Sequence, residues 1–278
     1  MGVEHASPAM IFIMIVLAIP LFYFIKRAQA GRKFFVRRIA GIDAINQAIG
    51  RAAELGRPIS FCTGLTVVSP TLYAVLGVLF HVTRRSALYK NRLIVPQNTP
   101  EVMAIAESVM KDAYRIEGRS HEFDPSSIVF LSEEQFAFAS GYMGMIHREK
   151  VASAFLFGYF AAESLILAEA GQQVGALQVA ASVSPEQVPF FITACDYTLI
   201  GEELFAAAAY LTKEPIQMGS LFAQDRAKIV IFGLIMLGVG VATAKTLWLQ
   251  VSWIDIDSIL RAPWETLFSS VMSLWGRA

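Results

Sequence analysis

Two long apolar stretches, one near each end of the chain, constrain the fold of this sequence more than any other feature. They run over residues 8–25 and 229–249. Each is close to the ~20 apolar residues that a helix needs to cross the hydrocarbon core of a membrane. Two crossings would attach the intervening residues at both ends to the same side of one membrane. The sequence therefore predicts transmembrane helices over 1–27 and 229–250, with one domain over 28–228 between them.

Basic residues predict the orientation of these helices. Lys26, Arg27, Arg32 and Lys33 follow the first stretch, and the next acidic residue is Asp43. A short basic segment beside a span marks the cytoplasmic side, so we expect the domain in the cytoplasm and both termini outside. The alternatives are a cleaved signal peptide for the first stretch and a buried soluble helix for the second. A signal peptide carries its charges before the apolar run, whereas here they follow it.

The four tryptophans of the chain all lie within or after the second stretch. Tryptophan prefers the membrane–water boundary, and beyond residue 255 apolar residues recur at helical spacings of three and four. This pattern predicts an amphipathic helix over 251–278 that lies on the outer membrane surface. A helix packed on a neighbouring subunit is the alternative. The predicted interface residues are Trp248, Trp253, Trp264 and Trp275.

Composition limits the expected partners and cofactors. The formal net charge is zero, so nucleic acid is not an expected partner, and the basic run is interpreted as attachment to membrane lipid. Cys62 and Cys195 form no motif and are expected to be free, buried thiols of a cytoplasmic domain. The chain contains no dinucleotide, P-loop, hydrolase or zinc-protease motif. The sequence therefore predicts no cofactor and no metal, and it identifies no catalytic residue.

The middle of the chain alternates between short apolar runs and segments that begin with helix-capping residues. Ser69-Pro70 and Thr99-Pro100 each combine an N-cap residue with proline at the first helical position. Such alternation is typical of a parallel sheet with helices on both faces, where strands are apolar throughout. We therefore expect an α/β, Rossmann-like domain. Its strands are predicted over 58–64, 92–95, 126–131, 152–158 and 176–182, with a possible sixth over 190–195.

The fold class predicts where a ligand would bind. In open parallel sheets, ligands lie beyond the carboxyl ends of the strands. The residues expected on this rim are Thr63, Gly64, Gln97, Ser132, Gly158, Tyr159 and Ser182.

Five carboxylates late in the domain form the one candidate chemical site. They lie among apolar residues, where an acidic side chain is costly unless it is paired, hydrogen-bonded or bound to a ligand. Converging carboxylates can hold a divalent cation or act as an acid/base pair. Helix capping and contact with a neighbouring subunit are the alternatives. The five residues are Glu163, Glu169, Asp196, Glu202 and Glu203.

Four segments carry a resemblance to a known family. Residues 41–61, 130–144, 157–171 and 189–211 resemble a family of bacterial membrane proteins of unknown function. The most distinctive segment is CDYTLIGEELFAAAAYL. The resemblance covers about residues 40 to 230 together with the two apolar stretches. It implies a bacterial cytoplasmic membrane protein with an α/β domain, and it transfers no activity and no functional residue.

Two functions from different classes fit these patterns. The first is a structural or scaffold subunit that forms homo-oligomers on the cytoplasmic face of the membrane. The helical segments 69–85 and 202–211 are apolar over more than one face and need additional cover. The second is a membrane-bound enzyme or small-ligand sensor that uses the strand ends and the carboxylates. A third hypothesis, an anchor for a larger membrane-associated complex, shares its evidence with the first.

Overall fold

The computed structural model describes residues 8–31 and 40–248 of the chain. Its centre is a sheet of six strands. These are β1 (Ile59–Gly64), β2 (Leu93–Gln97), β3 (Ile128–Phe130), β4 (Ser153–Tyr159), β5 (Leu177–Ser182) and β6 (Tyr197–Ile200). All neighbouring strands are parallel, and their order across the sheet is β3-β2-β1-β4-β5-β6. Every strand therefore ends at one common edge, the carboxyl edge, and begins at the opposite, amino edge.

Helices connect the strands and cover both faces of the sheet. They are α1 (Pro8–Gln29), α2 (Ala40–Leu55), α3 (Pro70–Tyr89), α4 (Pro100–Ile116), α5 (Gln135–Glu149), α6 (Ser164–Gln173), α7 (Val188–Ala194), α8 (Glu203–Thr212) and α9 (Pro215–Trp248). One hydrophobic core joins the sheet to α2, α3, α4 and α8, and a second joins its other face to α5, α6 and α7. Because both faces are covered, all six residues of β1 are buried. The predicted three-layer α/β arrangement is confirmed.

The first five predicted strands are confirmed, but the sixth prediction is wrong. Residues 190–195 belong to α7, and the sixth strand, β6, follows it. Within α7, Val188, Phe191 and Ala194 are buried at intervals of three, as one helical face requires. A short apolar run fits a buried helix as well as a strand. Pairing with β5, rather than local pattern, identifies β6.

The helix starts predicted at Ser69-Pro70 and Thr99-Pro100 are confirmed, since α3 and α4 begin at these prolines. The helix that follows β3 begins at Gln135, three residues after Ser132. The Ser132 hydroxyl accepts a hydrogen bond of 3.1 Å from the Glu134 amide. This bond closes a turn that precedes the helix instead of capping it.

The apolar helices α3 and α8 cover one another within one helix layer. A Cβ atom on Gly77 of α3 would lie 3.4 Å from the Ala208 Cβ and 3.2 Å from a Thr212 methyl group. Small residues thus allow close packing of the two helices, and α3 buries residues along most of its length, from Leu72 to Ala87. Most of the apolar surface of these two helices is therefore covered within the domain, while Tyr73 of α3 and Phe205 of α8 remain exposed. Cover from a neighbouring subunit stays a prediction.

Only one helix of the described residues is long and apolar enough to cross a membrane, the segment Pro215–Lys245. Its helix, α9, begins fourteen residues before the predicted start at 229, because Pro215 opens a helix that continues without interruption. The described chain divides into two compact units at Gln224/Asp225. The N-terminal segment is helical as α1, but it does not meet the same test, so its membrane crossing stays a prediction.

Several predicted membrane-interface features lie outside the described residues. They are the helix predicted over 251–278 and the residues Arg32, Lys33, Trp253, Trp264 and Trp275. Trp248 is the last residue of α9. Lys26 is exposed near the end of α1, and the Arg27 guanidinium donates a hydrogen bond of 2.9 Å to the Tyr23 hydroxyl.

Candidate functional site at the carboxyl edge

The strand order defines where this fold would hold a ligand. Chain connections run outward in opposite directions from β1 and β4, which lie side by side at the centre of the sheet. In doubly wound sheets the crevice beyond the carboxyl ends of two such strands is the ordinary binding site. Here those ends are Gly64 and Tyr159.

Two glycines allow the β1 and β4 backbones to approach each other closely at their carboxyl ends, which we call the switch point because the chain connections run in opposite directions from there. A Cβ atom on Gly64 would lie 2.5 Å from the Tyr159 carbonyl oxygen and 2.6 Å from the Phe160 ring. A Cβ atom on Gly158 would lie 2.4 Å from the Thr63 carbonyl oxygen. Both glycines have positive φ angles, +61° and +144°. This close approach, which we call the β1–β4 crossing, requires glycine at both positions. It brings the loop after β1 against the end of β4.

Backbone donors at the switch point are already used inside the protein. The Leu65 amide donates to the Tyr159 carbonyl at 2.9 Å, and the Thr66 amide donates to the Thr63 carbonyl at 3.3 Å. The Tyr159 amide donates to the Thr66 hydroxyl oxygen at 2.8 Å. Dinucleotide-binding folds direct amides of this loop at a pyrophosphate. In this chain the corresponding amides hold the loop and the strand end together.

Buried polar side chains reinforce the same edge. The Thr63 hydroxyl donates a hydrogen bond of 2.9 Å to the Gln97 side-chain oxygen, and both residues are buried. Glu163 is fully buried just before α6 and accepts bonds of 3.0 and 3.2 Å from the Ala161 amide. Its second oxygen also accepts a bond of 2.6 Å from the Gln135 side-chain amide. Glu163 therefore joins the loop after β4 to the start of α5.

The nearby thiol is not activated for chemistry. Burial is the main cause that raises the pKa of Cys62 to about 12; the hydrogen bond from the Gly64 amide opposes this rise, and the negative charge of Glu163 adds to it. A thiol with this pKa is protonated at neutral pH and is a poor nucleophile. Cys62 and Cys195 are both free thiols, as predicted, although Cys195 is only partly buried.

The five predicted carboxylates are not brought together. Glu163, Glu202 and Glu203 lie at the carboxyl edge, whereas Asp196 precedes β6 at the amino edge. Glu203 accepts a bond of 3.0 Å from the Ile200 amide. Glu169 is exposed on α6 and accepts a bond from Gln173. In the described part of the chain, no three His, Cys, Asp or Glu side chains are arranged to hold a metal ion.

The predicted rim residues do lie along the carboxyl edge. Thr63, Gly64, Gly158 and Tyr159 form the β1–β4 crossing, while Gln97 and Ser182 end β2 and β5. The Ser182 hydroxyl accepts a hydrogen bond of 3.1 Å from the Ser184 amide. Sequence reasoning missed Thr66, Gln135 and Phe160, which complete this edge. Only Gln135 carried a local signal, because it lies three residues after Ser132 in a capping-box spacing.

Exposed apolar side chains lie along the carboxyl edge on both sides of the β1–β4 crossing. They lie at strand ends, in the loop after β1 and in the first turns of α5 and α6. Five strand spacings separate β3 from β6, so the set extends over ~24 Å. We call this set the carboxyl-edge surface. It consists of Val67, Val68, Phe130, Phe136, Tyr159, Leu165 and Ile200.

The amino edge carries a polar groove instead. The groove has a volume of about 470 Å³ and is lined by Arg51, Gln178, Cys195 and Asp196 among others. Asp196 accepts a hydrogen bond of 2.7 Å from the Gln178 amide. Arg57, near the groove, donates to the Lys150 and Val151 carbonyls and so satisfies groups at the end of α5. The charged side chains of the groove thus serve bonds within the protein.

The strand order, the parallel pairing and the two helix layers define a Rossmann-like α/β protein in which the end of β4 is hydrogen-bonded to the loop after β1. Residues 3–253 match a family described as a domain of unknown function, DUF6754, and the chain belongs to that family. The resemblance to a family of unknown function is thereby confirmed. A search of curated proteins found no match, and a search of solved structures also found none.

Proposed function

We propose that this chain is a non-catalytic scaffold subunit of a bacterial cytoplasmic membrane, with its α/β domain in the cytoplasm and both termini outside. Copies assemble laterally through the carboxyl-edge surface, and the assembly anchors a larger membrane-associated complex. The observation that carries the proposal is that apolar surface. The seven exposed side chains lie along the edge where this fold class ordinarily binds ligands, and exposed apolar patches are typical of interaction sites.

Membrane anchoring is supported by the two terminal helices. The segment Pro215–Lys245 has the length and composition of a span, and Ile229 and Leu234 on it are each 63% exposed. The first turns of α9 pack closely on α1, since a Cβ atom on Gly219 would lie 2.8 Å from the Ile25 Cα. The Phe24 and Phe222 rings add an edge-to-face contact with centroids 5.2 Å apart. The two helices thus support each other as a paired anchor.

A second copy of the chain is the partner that this arrangement favours. Two membrane attachments give every copy the same orientation and confine all copies to one plane, which raises their effective concentration. The carboxyl-edge surface then lies at the same height in each copy. An enzyme or ligand sensor at the strand ends has less support, because the Leu65, Thr66 and Tyr159 amides already donate within the protein.

The oligomeric state of the full chain tests this proposal. We would purify the protein and the variant Val67→Asp/Tyr159→Asp in mild detergent and measure their masses by light scattering. The wild type is expected to form a closed homo-oligomer and the variant to be monomeric, because a charge buried in an apolar contact is strongly unfavourable. Both side chains are exposed in the single chain, so the variant is expected to fold.

A matched control is available at the amino edge. Ile116 ends α4 and is 58% exposed, close to the 62% of Val67. Ile116→Asp is expected to leave the oligomer intact. A monomeric wild type, or an oligomer that survives Val67→Asp/Tyr159→Asp, would contradict assembly through the carboxyl edge. Co-purification of one different protein in place of a second copy would retain the anchor and reject the homo-oligomer.

The predicted orientation has its own test. Single cysteines introduced at exposed positions of α4 should react with a membrane-impermeant maleimide only after the cells are opened. Reaction in intact cells would contradict a cytoplasmic domain. This experiment does not depend on the oligomeric state.

A further inference from the structure

A groove with no assigned role lies where the start of α9 meets α3 and α8. Its volume is about 350 Å³, which is within the range of about 300–1,000 Å³ found for small-ligand sites. Tyr73 is 69% exposed and Ile216 is 47% exposed, so apolar surface is left uncovered there. The walls are formed chiefly by Tyr73, Phe205, Ile216, Leu221, Gln217 and Gln224.

The groove has no charged residue among the ten that line it. An ionic ligand would therefore enter a site without a compensating charge, at a high desolvation cost. An uncharged chain, by contrast, gains from covering the aromatic rings of Tyr73 and Phe205. The lining chemistry thus favours a neutral, elongated, apolar ligand.

The α9 wall of the groove also provides polar side chains at regular spacing. Gln217, Ser220 and Gln224 follow one another at intervals of three and four, so they lie along one side of the helix. The other side is occupied, since Gly219 packs on α1. The groove therefore combines apolar rings on α3 and α8 with a row of uncharged hydrogen-bonding groups on α9. This combination matches an acyl chain and its ester oxygens.

The source of such a ligand follows from the helix that forms the wall. The wall residues, between 216 and 224, belong to the segment Pro215–Lys245, which is long and apolar enough to cross a membrane. We propose that the groove binds an acyl chain of a membrane lipid, with the lipid ester beside the α9 amide side chains. The inference rests on the membrane anchoring in the proposed function, but not on self-assembly.

Photolabelling of the full chain tests the inference. The protein would be reconstituted in phosphatidylcholine vesicles that contain a phosphatidylcholine with a photoreactive acyl chain, irradiated, and mapped by peptide mass spectrometry. We expect labelling of the peptides that contain Tyr73 and Phe205, in addition to the apolar part of α9. The variant Ser220→Trp fills the groove and should reduce the labelling of those two peptides about tenfold.

The control is the same substitution on an exposed side chain of another helix, Ser140→Trp on α5, which should not change the labelling. Thermal unfolding of both variants checks that they fold. Labelling confined to residues 225–245, or groove labelling unchanged by Ser220→Trp, would overturn the lipid site while leaving the membrane anchor in place. A chain that remains outside the vesicles would instead reject the anchor itself. Cross-linking of Tyr73 to a second protein chain would also overturn the lipid site.

Discussion

The two edges of the sheet differ in how they use their polar groups. At the carboxyl edge, the Tyr159 amide bonds to Thr66 and the Ala161 amide bonds to the buried Glu163. Exposed apolar side chains lie there beside exposed acidic ones such as Glu133 and Glu134. At the amino edge, Arg51 and Asp196 line a polar groove that is open to water. Ligand binding in this fold class ordinarily occurs at the carboxyl edge. In this protein several polar groups of that edge bond within the chain, among them the Leu65 and Tyr159 amides and Glu163.

The difference teaches that strand order alone does not create a binding site. A nucleotide crevice needs free amides and space between the two central strand ends. Gly64 and Gly158 permit a close approach of the β1 and β4 ends, and the Leu65 and Tyr159 amides donate hydrogen bonds across it. The same fold can thus use backbone donors of this edge for its own structure.

The largest loss of stability is expected when a glycine at the β1–β4 crossing is replaced by a residue with a side chain. Gly158→Ala places a Cβ atom 2.4 Å from the Thr63 carbonyl oxygen and closer still to the Thr66 hydroxyl. Because both strands are buried in the sheet, we expect a loss of about 3 kcal/mol or more in the free energy of unfolding. Chemical denaturation of the full chain in detergent measures this loss.

A glycine at the amino edge provides the control for Gly158→Ala. Gly175 also has a positive φ angle, +69°, but no atom lies within 4 Å of an added Cβ. Gly175→Ala should therefore cost only the backbone strain of about 1 kcal/mol. Equal losses at the two positions would show that the crossing is not tighter than an ordinary turn.

The carboxylates of the two edges should differ next, because Glu163 is buried and Asp196 is exposed. Glu163→Ala leaves the Ala161 amide and the Gln135 side chain without their shared acceptor in a buried site, so we expect a loss of about 2–3 kcal/mol. Asp196 is exposed and accepts one backbone bond. Asp196→Ala should lower the free energy of unfolding by only about 0.5–1 kcal/mol. A larger loss for Asp196→Ala in the same denaturation experiment would reverse the comparison.

The smallest effect concerns the reactivity of the two thiols. Burial raises the pKa of Cys62 and of Cys195 to about 12, and the charge of Asp196 contributes to the second shift. The thiolate fraction at pH 8 is then on the order of 10⁻⁴, so alkylation by iodoacetamide should be slow at both. Cys195 is partly exposed and should react about tenfold faster per pH unit as the pH rises.

The fully buried Cys62 should react only on unfolding, which mass spectrometry of the alkylated peptides can distinguish. Rapid alkylation of native Cys62 near neutral pH would mean that the carboxyl edge opens. That result would weaken the contrast between the edges and would favour a ligand site there.

Local sequence pattern predicted much of this fold. Apolar runs located β1 to β5 because strands buried on both faces are apolar throughout, and proline with an N-cap residue located α3 and α4. The pattern failed at 190–195, where a seven-residue apolar helix and a strand have the same composition. It also could not show that Thr66 bonds to Tyr159, since these residues are 93 positions apart.

The sequence predicted where the candidate site lies, but it did not predict which side chains meet there. Strand ends indicated the carboxyl edge, because parallel strands end together. Whether the five carboxylates converge depends on which end of a strand each one adjoins. Glu163 follows β4 at the carboxyl edge, whereas Asp196 precedes β6 at the amino edge.

The sequence by itself determined the alternation of strands and helices, the apolar terminal stretches and the family. The alternation and the apolar stretches follow from residue type and periodicity along the chain, and the family follows from the match over residues 3–253. Tertiary structure alone decided that most of apolar α3 is covered by its neighbours while much of apolar α9 is exposed, and that the end of β4 bonds to the loop after β1. The physical reason is that burial and close contact depend on which distant residues meet. Strand order and helix packing determine those meetings, and local spacing does not encode them.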